Sequence, residues 1–277
     1  MVIYGAAANM SVGALFIAGY IPGILVGLQQ IAICYYYASK NNIGGQAQVW
    51  SRGERLKIVL KGLAPLSIMI IIIGGIVGGV MTATEAAAAA SVWVVIIGLL
   101  FYRPINLRMI MDVALETGLL TAVVMFCVGT ATLFGWLMAY YEIIDVAENL
   151  FQTLAFSGPV FLLFATVLFL FLGTFMDPAP AMLIFVLMMA PIATRIGVNP
   201  LQLGIIVVMA LAIGKITPPY GISQLLACTI AEIPLMKSMK WNLVFFFSFV
   251  LLMVVMIFWP QITLFLPRIM VPELAGG

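Results

Sequence analysis

Apolar runs separated by short polar stretches repeat along the whole chain, and two of those runs are broken from within. Met1–Phe16 is short and holds Asn9 and Ser11, whereas Ile21–Ala38 is long enough to cross a bilayer, which takes about 20 apolar residues. The polar stretch Lys40–Lys61 follows, then runs at Leu63–Met81, Ala86–Tyr102 and Leu119–Tyr140. A loop with Glu142, Asp145 and Glu148 leads into Pro159–Thr194, interrupted at Asp177, and Leu201–Ala231, interrupted at Pro218. Asn242–Leu266 closes the pattern. It predicts an all-α polytopic membrane bundle with one re-entrant hairpin over 159–195 and one discontinuous helix over 201–233.

The two interruptions read Gly173-Thr-Phe-Met-Asp-Pro-Ala-Pro180 and Gly214-Lys-Ile-Thr-Pro-Pro-Tyr-Gly221. Proline has no N–H for the carbonyl four residues back. Pro178 and Pro180 should therefore release the carbonyls of Thr174 and Met176, and Pro218 and Pro219 those of Gly214 and Lys215. Backbone left unpaired in a bilayer survives only inside protein or beside a polar cavity. Freed carbonyls next to the Thr217 hydroxyl suit a desolvated small cation, and paired discontinuous helices point to the binding site of a secondary transporter.

Composition agrees with the pattern: 65% of the 277 residues are hydrophobic, 8% are charged, and the mean hydropathy is +1.23. The net charge of +2 says nothing about nucleic acid, since the positives lie in a few short loops, and no nucleic acid partner is expected. There is no histidine, which excludes histidine-ligated metals and Ser-His or Cys-His catalysis. Cys34, Cys127 and Cys228 stand alone in apolar runs as small hydrophobes. Lys40, Arg52, Arg55, Lys57, Lys61, Arg103, Arg108, Lys237 and Lys240 fall on one side, the cytoplasmic one by the positive-inside rule. That assignment leaves Arg195 and Arg268 outside, requires 159–195 to enter and leave on the outer face, and puts Lys215 within the membrane.

Ionisable groups inside a span are costly and usually face protein. Asp177, before Pro178, can cap the next helix or join a cation or substrate site together with Pro178, Ala179 and Pro180. Lys215 can snorkel or pair with Asp177. In Thr82-Ala-Thr-Glu85, Thr82 and Glu85 form the spacing of a capping box, with Thr84 and Glu85 as the alternative wall of a permeation path. The alanine-rich stretch from Ala86 suits close helix packing. The aromatic-rich run from Asn242 to Trp259 reads as lipid-facing.

Taken together, Met1-Val-Ile-Tyr-Gly5, Leu15-Phe-Ile-Ala-Gly19, Pro22-Gly23, Gly74-Gly-Ile-Val-Gly78, Thr82-Ala-Thr-Glu-Ala86 and the two broken stretches resemble the large membrane subunit of tripartite ATP-independent periplasmic (TRAP) transporters, the DctM-like permeases. Gly197-Val-Asn-Pro200 and Ile230-Ala-Glu-Ile-Pro234 agree. The resemblance implies a multi-pass protein of the bacterial inner membrane, an elevator-type transporter of two inverted repeats. It implies sodium-driven uptake of organic anions such as dicarboxylates or sugar acids. Its implied partners are a small TRAP membrane subunit, a periplasmic substrate-binding protein and membrane lipid. Carried over by motif, sodium would be held by carbonyls of Gly173, Gly214 and Tyr220 and the Thr217 hydroxyl, with Pro218, Pro219 and Gly221 shaping the substrate side. No other cofactor is implied.

The family's large subunit is longer, and the chain aligns with its C-terminal two-thirds. Residues 1–38 then represent the end of the first repeat, 39–61 a cytoplasmic loop, and 62–277 the second repeat. An N-terminally truncated permease, or a scaffold half that needs a separate first repeat, are both consistent with that reading. Two substitutions depart from the family pattern: Lys215 in place of a neutral residue, and Ala83 in place of a proline. A channel would require a continuous polar pore, and an enzyme a nucleophile or metal constellation. The chain shows neither.

Overall fold

The structure, a computed structural model, describes residues 1–41, 51–102, 106–143, 145, 146, 149, 157–217 and 221–272. Among the described residues there are helices and no strands. Six helices are long and apolar enough to cross a membrane. The chain is thus an all-α polytopic membrane bundle, divided into two compact units: Met1–Tyr35 with Val124–Gly277, and Tyr36–Val123.

In the first unit, α1 (Val2–Ala7) turns at Asn9, which takes a positive φ of 54°, into α2 (Val12–Lys40). Next come α5 (Leu107–Tyr140, begun in the other unit), α6 (Gly158–Phe175), α7 (Pro178–Arg195), α8 (Pro200–Gly214), α9 (Ile222–Ile230), α10 (Leu235–Phe258) and α11 (Gln261–Met270). The second unit holds α3 (Arg52–Val77) and α4 (Ala83–Ile97), joined where the Trp93 indole N–H donates to Ser67 Oγ (2.8 Å).

The centre of the first unit is α8. Its residues are apolar on every side apart from Gln202, and only Pro200, Val208, Met209 and Ala212 escape burial. A helix hydrophobic all round must be enclosed by others, and α8 is. Beside it, α6 runs in the same direction: Gly158 sits against Val198 just before α8, and Gly173 against Leu211 and Gly214 at its end. After α6, α7 returns, so the hairpin has both ends at one level and its tip, Met176–Asp177, at the end of α8. On another side α10 runs antiparallel. Gln202 near the start of α8 reaches Met256 near the end of α10, while Asn242 near the start of α10 reaches Ile216 just past α8. Tyr4 of α1 seals the base, its hydroxyl donating to the Pro200 carbonyl (3.0 Å).

Several run boundaries differ from the hydropathy pattern for local reasons. One helix of 29 residues covers 12–40 and continues through Pro22, where the pattern placed two runs. The polar stretch becomes helical at Arg52, because Ser51 and Glu54 form a capping box. Asn106 accepts the Met109 N–H (2.8 Å) and so starts α5 well before the apolar run at Leu119. The last run bends at Trp259–Pro260, and α10 is two-faced rather than lipid-facing: Phe249, Met253, Met256 and Ile257 are buried while Phe247, Leu251 and Phe258 are exposed. Arg103 and Glu148 lie outside the described residues.

Candidate functional site

The first interruption is unwound, the second begins where α8 ends, and their described residues meet. At the hairpin tip, Met176 leaves α6 with φ −112° and ψ 151°, and Asp177 follows in extended conformation as N-cap of α7. The Met176 N–H returns to the Leu172 carbonyl (2.8 Å). The next turn is not closed: among the described residues the Asp177 N–H makes no bond to the Gly173 carbonyl, and Pro178 has no N–H for that of Thr174. At the other interruption α8 ends at Gly214, and α9 begins at Ile222 after Gly221, whose φ of 28° suits glycine. Pro218, Pro219 and Tyr220 lie outside the described residues.

Close approach of the two chain segments rests on glycine. A Cβ on Gly173 would lie 2.9 Å from the Leu211 carbonyl oxygen and 3.2 Å from the Gly214 Cα. Small residues at such a crossing let two backbones touch. Charge joins the segments as well, since Lys215 Nζ stands 3.4 Å from Asp177 Oδ2. The Asp177 carboxylate also accepts the Ala179 N–H through Oδ1 (3.1 Å), so it caps α7 and pairs with Lys215 at once.

The carbonyls of the second interruption are better satisfied than proline arithmetic suggested. Gly214 O accepts the Thr217 N–H (3.0 Å), and Lys215 O accepts the Ser223 N–H (3.2 Å). Neither is released outright: losing the helical donor, Gly214 finds another within the bend and Lys215 finds one at the start of α9. A carbonyl oxygen has two lone pairs, so Gly214 keeps one for a further partner. The Thr217 hydroxyl donates to the Ile213 carbonyl (2.8 Å), which leaves its own lone pairs facing away from that bond. The N-terminus of α7, by contrast, has no amide to spare. Pro178 and Pro180 lack one, Ala179 is held by the Asp177 side chain, and Ala181 N–H goes to the Asp177 carbonyl (3.3 Å).

Three polar side chains passed over by sequence reasoning complete this region. Asn242 of α10 donates through Nδ2 to the Ile216 carbonyl and to Gln224 Oε1 (2.6 Å). Gln224 Nε2 donates to Ser238 Oγ (3.0 Å), which in turn donates to the Leu235 carbonyl (2.9 Å). Thr82, Thr84 and Glu85 belong to the other unit and are exposed. There the Thr82 N–H donates to Glu85 Oε2 (2.8 Å) and the Glu85 N–H to Thr82 Oγ1 (3.3 Å), a reciprocal cap on α4.

The family model described as "Tripartite ATP-independent periplasmic transporter, DctM component" matches residues 1–262. Similar proteins include the C4-dicarboxylate TRAP transporter large permease protein DctM of Pseudomonas aeruginosa, 35% identical over 97% of this chain and 62% of its own length. The Ectoine/5-hydroxyectoine TRAP transporter large permease protein UehC of Ruegeria pomeroyi is 34% identical over 96% of this chain and 62% of its own. The Sialic acid TRAP transporter large permease protein SiaM of Vibrio cholerae is 32% identical over 97% and 63%. The chain thus spans less than two-thirds of the length of these relatives.

Proposed function

Because the chain belongs to the DctM component family of tripartite ATP-independent periplasmic transporters, a family of membrane transport components and not of enzymes, we propose that it forms the ion- and substrate-handling part of a sodium-coupled permease for small organic acids in the bacterial inner membrane. The observation that carries this reading is the meeting of the unwound hairpin tip with the end of the buried helix α8. One brings the Asp177 carboxylate, the other the Thr217 hydroxyl and the Gly214 carbonyl.

Sodium is the coupling ion in this reading, held by oxygens of Gly173, Gly214 and Thr217, with Tyr220 as the fourth by family resemblance. Thr217 is suited to it, because its proton is engaged by Ile213 and its lone pairs are not. The Lys215–Asp177 pair is neutral overall, so an arriving cation meets no net positive charge there. Moving one positive charge inward at 100 mV supplies about 2.3 kcal/mol. Two net charges then support roughly a thousandfold accumulation.

The anion lies on the side of Gly221, where α9 begins without a side-chain cap. The start of α9 has its Gly221 and Ser223 amides on Thr217 and Lys215, while at the hairpin helix Pro178 and Pro180 have none and those of Ala179 and Ala181 go to Asp177. Substrates named for relatives are C4-dicarboxylates, ectoines and sialic acid, which bear a carboxylate, and isethionate, which bears a sulfonate; they support a small organic acid as the class. A small membrane subunit and a periplasmic binding protein complete the assembly. Residues 159–195 and 201–233 act as the moving hairpin and broken helix of one repeat in an elevator cycle.

The test is uptake by the intact transporter in liposomes, driven by an inward sodium gradient. Accumulation that needs sodium supports the reading; uptake at the same rate in choline overturns the coupling.

A further inference from the structure

We propose that Asn242 is a positioning residue for the cation site, holding Thr217 and the end of α8 in binding geometry from a different helix. The inference rests on the sodium reading above and adds to it a residue outside both interrupted stretches.

The Asn242 carboxamide spans the interruption. One acceptor, the Ile216 carbonyl, lies near its start; the other, Gln224 Oε1, lies beyond its end on α9. Both bonds come from the same nitrogen, so the two ends of the bend are tied to a single point on α10. That point is itself braced. Gln224 is fixed by Ser238, one turn before Asn242 on α10, and Ser238 Oγ also lies 3.0 Å from the Cys228 sulfur of α9. With its proton on the Leu235 carbonyl, Ser238 accepts from both neighbours, so the network is directed and closed.

Two consequences follow for the oxygens beside it. The Ile216 carbonyl is drawn toward α10, one of its lone pairs taken by the Asn242 amide. Thr217, the next residue, and Gly214, whose carbonyl takes the Thr217 N–H, are held in register by the same anchor. A cation site gains affinity when its ligands need no reordering on binding. Without the Asn242 donor, the segment exchanges one fixed geometry for several, and the ion must select among them. Packing of α10 on α8 does not depend on this residue alone, since Gln202 and the buried Phe249, Met253 and Ile257 hold the opposite end.

The experiment compares wild type, Asn242→Leu, Asn242→Gln and, as a packing control, Gln202→Leu, each in the intact transporter reconstituted in liposomes. Half-saturating sodium and substrate KM at saturating sodium are read separately. Hydrogen exchange of the Gly221–Leu225 amides is followed in detergent with and without sodium. Asn242→Leu is expected to raise half-saturating sodium about tenfold and change substrate KM less than twofold. It should also speed exchange at Gly221 and Ser223, whose amides bond Thr217 and Lys215. Asn242→Gln, which keeps the donor, should stay within threefold of wild type, and Gln202→Leu should leave half-saturating sodium unchanged. If Asn242→Leu does not accumulate, Gln224→Met removes the second anchor and should raise half-saturating sodium by about threefold. A normal sodium response in these Asn242 and Gln224 variants overturns the positioning role alone. Wild-type transport indifferent to sodium overturns the coupling and this role with it.

Discussion

Gly214 meets Gly173 backbone to backbone: a Cβ on Gly214 would stand 2.7 Å from both the Cα and the carbonyl carbon of Gly173. No rotamer relieves such a contact, because both partners are main chain. Alanine ordinarily improves a helix interior by up to about 1 kcal/mol over glycine. Here overpacking costs about 1–3 kcal/mol and wins. Gly214→Ala should lower the midpoint of thermal unfolding in detergent and impair transport. At Gly23 and Gly27 of α2 a Cβ meets nothing within 4 Å, so alanine there should be neutral or stabilising. A rise in midpoint for Gly214→Ala would show that the helices part freely.

The two interruptions were legible in sequence because closely spaced prolines beside glycine deprive an apolar helix of several donors within one turn. Asp177 and Lys215 were legible for a similar reason: a charge at that depth needs a partner, and each supplied one for the other. Asn242 was not. Beside Lys240 and Trp241 it reads as an interfacial residue, and nothing in its spacing tells that α10 runs antiparallel to α8. Only that topology brings it to Ile216. Proline arithmetic also went too far in freeing Gly214 and Lys215. It counts the donor lost by the helix and cannot see the turn donors, Thr217 N–H and Ser223 N–H, that replace it.

The Asp177–Lys215 pair makes opposite predictions for its two members. Lys215→Met leaves a bare carboxylate at the junction and should lower half-saturating sodium. Asp177→Asn leaves a bare ammonium and should raise it. Each shift is expected to be on the order of tenfold, or 1.4 kcal/mol, and the double variant should return toward wild type because the charges balance again. The check is sodium titration of uptake. Half-saturating sodium shifted the same way, or not at all, in the two single variants would show that the ion does not sense these charges.

Thr217→Ala removes a hydroxyl oxygen while keeping the backbone bonds of the bend. Sodium dependence should weaken at least tenfold with little change in expression, and Thr217→Ser should retain most of it. The Thr217 N–H to Gly214 bond, seen by exchange, serves as the control for local folding. An unaltered sodium titration in Thr217→Ala would remove this oxygen from the site.

In the other unit, Thr82→Ala deletes one half of the reciprocal cap on α4 and unties Glu85, whose Oε2 also accepts from Thr82 Oγ1 (2.9 Å). Loss of such a cap costs about 1 kcal/mol. Hydrogen exchange should quicken at Glu85 and Ala86 and fade along the helix. Thr84→Ala, which touches neither bond, should leave those amides protected. Equal exchange in the two variants would mean that the cap does not hold the helix start.

Gln202 answers a defect made by Pro260. With no N–H four residues on, the Met256 carbonyl at the end of α10 lacks its helical donor, yet it is buried against α8. Gln202 Nε2 donates to it at 3.1 Å and to the Ile257 carbonyl at 3.3 Å. Gln202→Leu fills the same space and strands both oxygens, and each buried acceptor left unmade costs about 1–3 kcal/mol. The unfolding midpoint should fall clearly, whereas Gln30→Leu, on an exposed position of α2, should change stability by no more than about 0.5 kcal/mol. Equal midpoints for the two variants would mean that water or a relaxed α10 supplies the missing donor.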